Sequence, residues 1–137
     1  MNSGGMIRIL LSLTMLALAG CYTHRFVDVK LNEPRTATPG STMVQWQVDN
    51  YNLVLPNSTI KKLVYLGSDG DSFSIGLEQD ASAVIVTNKP DRLDMRYPKN
   101  FPQDVAIQDV QVRVENADVH GITFALTRAP EGFSLPK

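Results

Sequence analysis

The sequence predicts an all-β protein: a small antiparallel sandwich or barrel of about eight strands, preceded by an amino-terminal targeting segment. Three observations carry this expectation. Apolar and polar residues alternate with a period of two over several stretches beyond residue 21. Turn-forming residues separate those stretches at roughly ten-residue intervals. No apolar stripe at helical spacing extends beyond a single turn, the one candidate being Glu78 to Ala83.

Taken in order, Phe26 to Leu31 is the first strand candidate, followed by a polar stretch from Asn32 that closes at Thr38-Pro39-Gly40-Ser41. Val44-Gln45-Trp46-Gln47-Val48 alternates without a fault, which is the signature of a strand with one buried and one wet face. Ile60 to Leu66 and Ser72 to Glu78 are joined by Gly67-Ser68-Asp69-Gly70-Asp71, where Asp69-Gly70 is a strong hairpin signal because glycine accepts positive φ. Ala83 to Thr87, a turn at Asn88-Lys89-Pro90-Asp91, and Leu93 to Tyr97 follow. Pro98 and Pro102 then exclude a central strand between Tyr97 and Pro102. Val110 to Glu115 and Ile122 to Thr127 are the last strands, with Asn116-Ala117-Asp118 between them. These segments are rich in β-branched and aromatic residues, which fit a pleated, half-buried surface.

Composition narrows the function classes. A chain of 137 residues has room for one domain, and its apolar content is enough to form a core without metal or disulfide. The formal net charge is −1 with both signs interspersed, so there is no basic stripe for nucleic acid. The single cysteine, Cys21, excludes an internal disulfide.

The amino terminus is organised differently. Arg8 follows a short polar start, Ile9 to Ala19 is apolar except for Ser12 and Thr14, and the small residues Ala19 and Gly20 come next. That is the layout of a secretory signal peptide, readable from Met1 or from Met6. The apolar run is shorter than the roughly 20 residues a membrane span requires. Leu18-Ala19-Gly20-Cys21 resembles the lipobox of bacterial lipoproteins at all four positions. The resemblance implies diacylglyceryl transfer to the Cys21 sulfur, cleavage between Gly20 and Cys21, and acylation of the new amino group with a palmitate-type chain. The alternative is an ordinary signal peptide with an incidental cysteine. Each buried methylene contributes about 0.8 kcal/mol, so several chains make a lasting anchor where one makes a reversible one. Tyr22 is not the Asp that retains such lipoproteins in the inner membrane of enterobacteria, so the resemblance favours the outer membrane, on its periplasmic face. A shorter stretch, Ile60 to Asp71, looks like the strand-turn-strand segment of small uncharacterised proteobacterial lipoproteins.

The expected organisation is a cleaved signal peptide over residues 1–20, a lipidated amino terminus with first strand and tether over 21–42, and a β domain over 43–137. Catalytic and metal-binding signatures are not found in the sequence, and no cofactor is expected. His24 and His120 are far apart in the chain and have no partner at ligand spacing, where a structural zinc site needs about four. Asp69-Gly70-Asp71 lacks the further carboxylates of a calcium loop and is read as a solvated turn. No G-x-S-x-G occurs. Trp46, flanked by Val44 and Val48 on one face, is assigned to the core in preference to a ligand. The resulting expectation is a non-enzymatic lipoprotein held to the membrane through Cys21 and acting on an envelope protein partner. Two alternatives stand beside it: a binder of small apolar ligands, and an inhibitor presenting the Pro98 to Gln103 loop to an envelope-attacking enzyme.

Overall fold

Alternation is most regular at Val110-Gln111-Val112-Arg113-Val114, and there the three valines are fully buried while Arg113 is exposed. The same rule builds most of the molecule. A computed structural model describes residues 22–51, 57–82 and 91–137, and contains nine strands and no helix among them. They are β1 (Tyr22–Val27), β2 (Arg35–Ala37), β3 (Thr42–Tyr51), β4 (Asn57–Asp69), β5 (Ser72–Ser82), β6 (Asp91–Pro98), β7 (Gln103–Ile107), β8 (Val110–Ala117) and β9 (Ile122–Arg128). A five-stranded sheet has the order β1-β3-β4-β5-β6, and a four-stranded sheet the order β2-β9-β8-β7. Every pair of neighbouring strands is antiparallel.

The sheets bury their apolar faces against each other in one cluster. Val44, Trp46, Leu63, Tyr65, Phe73 and Ile75 come from the larger sheet, and Val105, Val112, Ile122, Phe124 and Leu126 from the smaller. This is the all-β sandwich expected from the alternation, with nine strands where about eight were counted. Trp46 is 4% exposed, in the core as anticipated. Met43 and Val44 are buried side by side, because the ladder between β3 and β4 slips at that point and the bulge turns successive side chains inward.

Several expectations need adjustment. The first strand begins at Tyr22 and ends at Val27, so it does not run from Phe26 to Leu31. After Val27 the chain leaves the larger sheet. Asp28 marks the exit, donating its backbone N–H to the Gln45 carbonyl at 3.0 Å and accepting the Gln45 N–H on Oδ1 at 2.7 Å. Leu31 already bridges to Leu126 of the opposite sheet. Residues 22–42, read as first strand and tether, therefore contribute Val27, Val29 and Ala37 to the common core. Glu78 to Ser82 continues β5 and makes no helical turn. Asn116 and Ala117 belong to β8, and the turn starts at Asp118. The Ala83 to Thr87 strand and most of the Asn88 to Asp91 turn lie outside the described residues, as does the whole segment 1–21.

Local chemistry explains the connections. Asp69 pairs with Ser72, leaving Gly70-Asp71 as a two-residue loop with positive φ at Gly70 alone, the pattern of a type II′ hairpin. Ser41 N–H donates to the Thr38 carbonyl at 3.0 Å and closes the predicted turn at Pro39-Gly40. Gly121 lets β2 approach the β8–β9 connection: a Cβ there would stand 2.9 Å from the Ala37 carbonyl oxygen. The fully buried Tyr65 spans the sandwich and donates its hydroxyl to the Asp118 carbonyl.

Candidate functional site

A two-sheet sandwich has four outer edges, and each presents backbone N–H and C=O groups to whatever lies beside it. Three are blunted here. Beside Arg25 to Val27, the second half of β1, runs the carboxy-terminal segment, where Val27 N–H donates to the Ser134 carbonyl at 2.9 Å and Ser134 N–H to the Arg25 carbonyl at 3.0 Å. β2 is only three residues long. β7 is five residues long and enters from Pro102, which has no N–H. The remaining edge, β6, is eight residues long and pairs with β5 without a register break from Ser72–Pro98 to Gln79–Asp91.

The phase of that ladder follows from one bond. Lys99 N–H donates to the Asp71 carbonyl at 2.8 Å. Hydrogen-bonded and non-bonded pairs alternate in an antiparallel ladder, so Tyr97, Met95 and Leu93 turn their backbone groups toward β5. Arg92, Asp94 and Arg96 therefore aim their N–H and C=O outward, and Pro98 only its C=O.

Side chains divide between the faces in the same rhythm. Leu93, Met95 and Tyr97 stand opposite the buried Leu77, Ile75 and Phe73. Met95 and Tyr97 pack against the core, and the rings of Tyr97 and Phe101 lie 5.5 and 5.7 Å from that of Phe73. Leu93, nearer the strand start, is 61% exposed. On the other face Arg92 grips Asp94 through Nε–Oδ1 at 2.6 Å and Nη2–Oδ2 at 3.1 Å. These bonds hold the Asp94 carboxyl below the usual carboxylate range. Arg96 reaches Ser72 Oγ at 2.6 Å and Asp69 Oδ2 at 3.2 Å. Exposed pairs of this kind contribute little to stability, which leaves them free to rearrange.

The other residues singled out by sequence do not converge. Gly20 and Cys21 fall outside the described residues, and β1 begins at the very next position. His24 stands opposite Asp49 across the β1–β3 ladder, with its ring 5.1 Å from that of Phe26. Asp49 Oδ1 accepts Gln47 Nε2 at 2.7 Å and Ser58 Oγ at 2.6 Å, and these bonds, with a smaller contribution from His24, lower its pKa. Serine, aspartate and histidine thus meet, but Ser58 donates to the carboxylate. An activated serine donates to the imidazole instead.

His120 lies between β8 and β9, far along the chain from His24. Its backbone N–H and that of Gly121 donate to Asp118 Oδ1 at 2.7 and 3.1 Å, which depresses the Asp118 pKa. Beside this turn is an open groove of about 500 Å³, lined by Thr36, Thr38, Ser41, Asn116, His120 and Thr123. It is a polar surface furrow whose lining carboxylate, Asp118, holds the turn through Oδ1. Asp69 and Asp71 sit in the β4–β5 hairpin, and no cluster of three metal-ligating side chains occurs among the described residues. No helix among them is long and apolar enough to cross a membrane.

Among the described residues, fold and edges together define an antiparallel β sandwich with one long edge, β6, that no other strand covers and whose outer-face charges alternate in sign. No family model, no curated protein and no solved structure matches the chain. Sequence reading marked Leu93 to Tyr97 as a strand and passed over its position at the sheet boundary. The alternating signs of Arg92, Asp94 and Arg96 were the available signal.

Proposed function

We propose that this protein is a non-enzymatic, lipid-anchored component of the bacterial envelope that works through protein contacts at the β6 edge. The supporting observation is the contrast between edges among the described residues: three are partly covered or short, and the fourth offers a regular row of outward N–H and C=O groups. Main-chain pairing with an added strand supplies affinity at such an edge, and alternate side chains supply specificity. The lipobox resemblance at Leu18-Ala19-Gly20-Cys21 supports the location. Because β1 starts at Tyr22, a lipid on Cys21 leaves almost no tether, and the sandwich rides directly on the bilayer.

The two alternatives fit less well. An apolar ligand must compete with the side chains of both sheets that already fill the space between them. An inhibitory loop needs freedom to enter a foreign cleft, yet Phe101 packs on the core and Lys99 is bonded to Asp71. The proposal is tested in two arms in intact cells. Cys21→Ala should move the protein from membranes to the soluble fraction. Photo-crosslinkers at Arg92, Asp94 or Arg96 should give adducts that the same probe at Arg113, on the outer face of β8, does not. Full membrane retention of Cys21→Ala rejects the anchor, and equal adducts from both strands reject the edge.

A further inference from the structure

We propose that the partner strand is β6 of a second copy of this chain, paired antiparallel across a two-fold axis at Met95. This deepens the docking-edge reading and rests on it. Two five-stranded sheets thereby join into one continuous sheet with an isologous contact.

The phase of the edge restricts the registers. The outward-facing residues Arg92, Asp94, Arg96 and Pro98 must meet one another in hydrogen-bonded pairs, so only alternate registers preserve the ladder. A two-fold at Asp94 sets that carboxylate against its own copy and Arg92 against Arg96 of the second copy. A two-fold at Arg96 sets two guanidinium groups face to face. Like charges directly opposite are destabilising. A two-fold at Leu93 opposes Arg92 to Asp94 but confines pairing to Asp91–Met95 and strands Arg96 to Pro98 beyond it.

With the axis at Met95, Asp94 of each copy faces Arg96 of the other, giving two cross-strand ion pairs. Leu93 faces Tyr97, and Met95 faces Met95, on the core-side face. Pro98 falls opposite Arg92, where its carbonyl accepts the Arg92 N–H and the Arg92 carbonyl, at the end of the ladder, is left to water. Every outward N–H from Arg92 to Arg96 then meets an acceptor, and Leu93, 61% exposed, gains an aromatic neighbour. Charged side chains commonly guard an edge against association; here they alternate in sign and complement themselves in a register that also pairs the backbone. A formal net charge of −1 adds little long-range repulsion between copies. The axis stands normal to the sheet. With Cys21 as anchor, both lipids reach one leaflet when the outer face of the larger sheet, which bears Arg92, Asp94 and Arg96, turns toward the bilayer.

Disulfide trapping of the full chain in cells tests the register. In a non-hydrogen-bonded pair the Met95 Cα atoms lie about 4.5 Å apart, within disulfide range. The two Leu93 Cα atoms are then separated by roughly 13 Å. Met95→Cys should give a disulfide-linked dimer under mild oxidation, and Leu93→Cys alone should not. Co-expressed Leu93→Cys and Tyr97→Cys copies should link to each other. Because Met95 touches the core, a second test uses exposed positions. In detergent-extracted full-length protein, Asp94→Arg should weaken dimerisation about tenfold, since two attractive pairs become repulsive. Adding Arg96→Asp should restore it. Self-linking at Leu93 with none at Met95, or a charge swap that fails to rescue, overturns the self-pairing. Linkage of Met95→Cys solely to a different protein overturns it while leaving the docking edge standing, and the absence of any linked product overturns both.

Discussion

Replacing Tyr65 by Phe isolates one bond that ties the two sheets together. The ring stays in place, fully buried, while the hydroxyl that donates to the Asp118 carbonyl is removed. Loss of the bond, with the carbonyl left partly unsatisfied, should cost about 1–2 kcal/mol. At roughly 2.1 cal/mol/K per residue over roughly 115 residues, the unfolding entropy is about 0.24 kcal/mol/K, so Tm should fall by about 4–8 °C. The variant should also respond differently to alkali. Burial first, and the Asp118 charge second, raise the Tyr65 pKa. The folded state therefore keeps a proton that the unfolded chain begins to lose near pH 10, and stability falls as pH rises beyond that point. Tyr65→Phe should lack this component of the fall. Calorimetric scans at neutral pH and near pH 10.5, with Phe73→Leu as a core control without a polar group, would measure both effects. A Tm unchanged within about 1 °C, or an identical alkaline slope in the variant, refutes the assigned role.

Further outcomes follow from the packing and charges. Gly121→Ala places a methyl 2.9 Å from the Ala37 carbonyl oxygen, and should destabilise by about 1–3 kcal/mol in urea titration with loss of β2 protection in hydrogen exchange. Leu126→Ala, at 1% exposure, should cost about 2–5 kcal/mol, whereas Leu93→Ala at 61% exposure should stay within about 0.5 kcal/mol by the same titration. In acid the Asp118 carboxylate, held low by the His120 and Gly121 N–H groups, contributes stability that is present above the ordinary aspartate pKa of 3.8. That contribution is lost as pH falls through the lowered value, so Asp118→Asn should flatten the acid limb of a Tm–pH profile.

Much of the scaffold was legible because its strands obey a strict local rule. Val110, Val112 and Val114 declare a half-buried strand by alternation alone, and Asp69-Gly70 declares the hairpin by its tolerance of positive φ. Arg35–Ala37 could not be read, since three residues show no period and β2 exists only because Gly121 admits its backbone. Gln103–Ile107 does alternate, but Pro102 and the preceding Pro98 made the region look like loop. Glu78 to Ser82 had a weak local preference for a turn that pairing with β4 overrode. The candidate site was less accessible for a physical reason: an edge is defined by what is missing beside it. The charges and apolar residues of β6 were visible in Arg92 to Tyr97, but the free side of the strand and the outward phase of its N–H groups emerge only from the strand order and the Lys99–Asp71 bond.

The proposed membrane anchor is one sulfur atom, and the mass spectrum of the amino-terminal peptide from the protein isolated from cells addresses it directly. A peptide starting at Cys21, with a diacylglyceryl thioether and an acylated α-amino group, is the predicted result. A mature chain with a free thiol at Cys21, or one in which residues 1–20 remain attached, would contradict it.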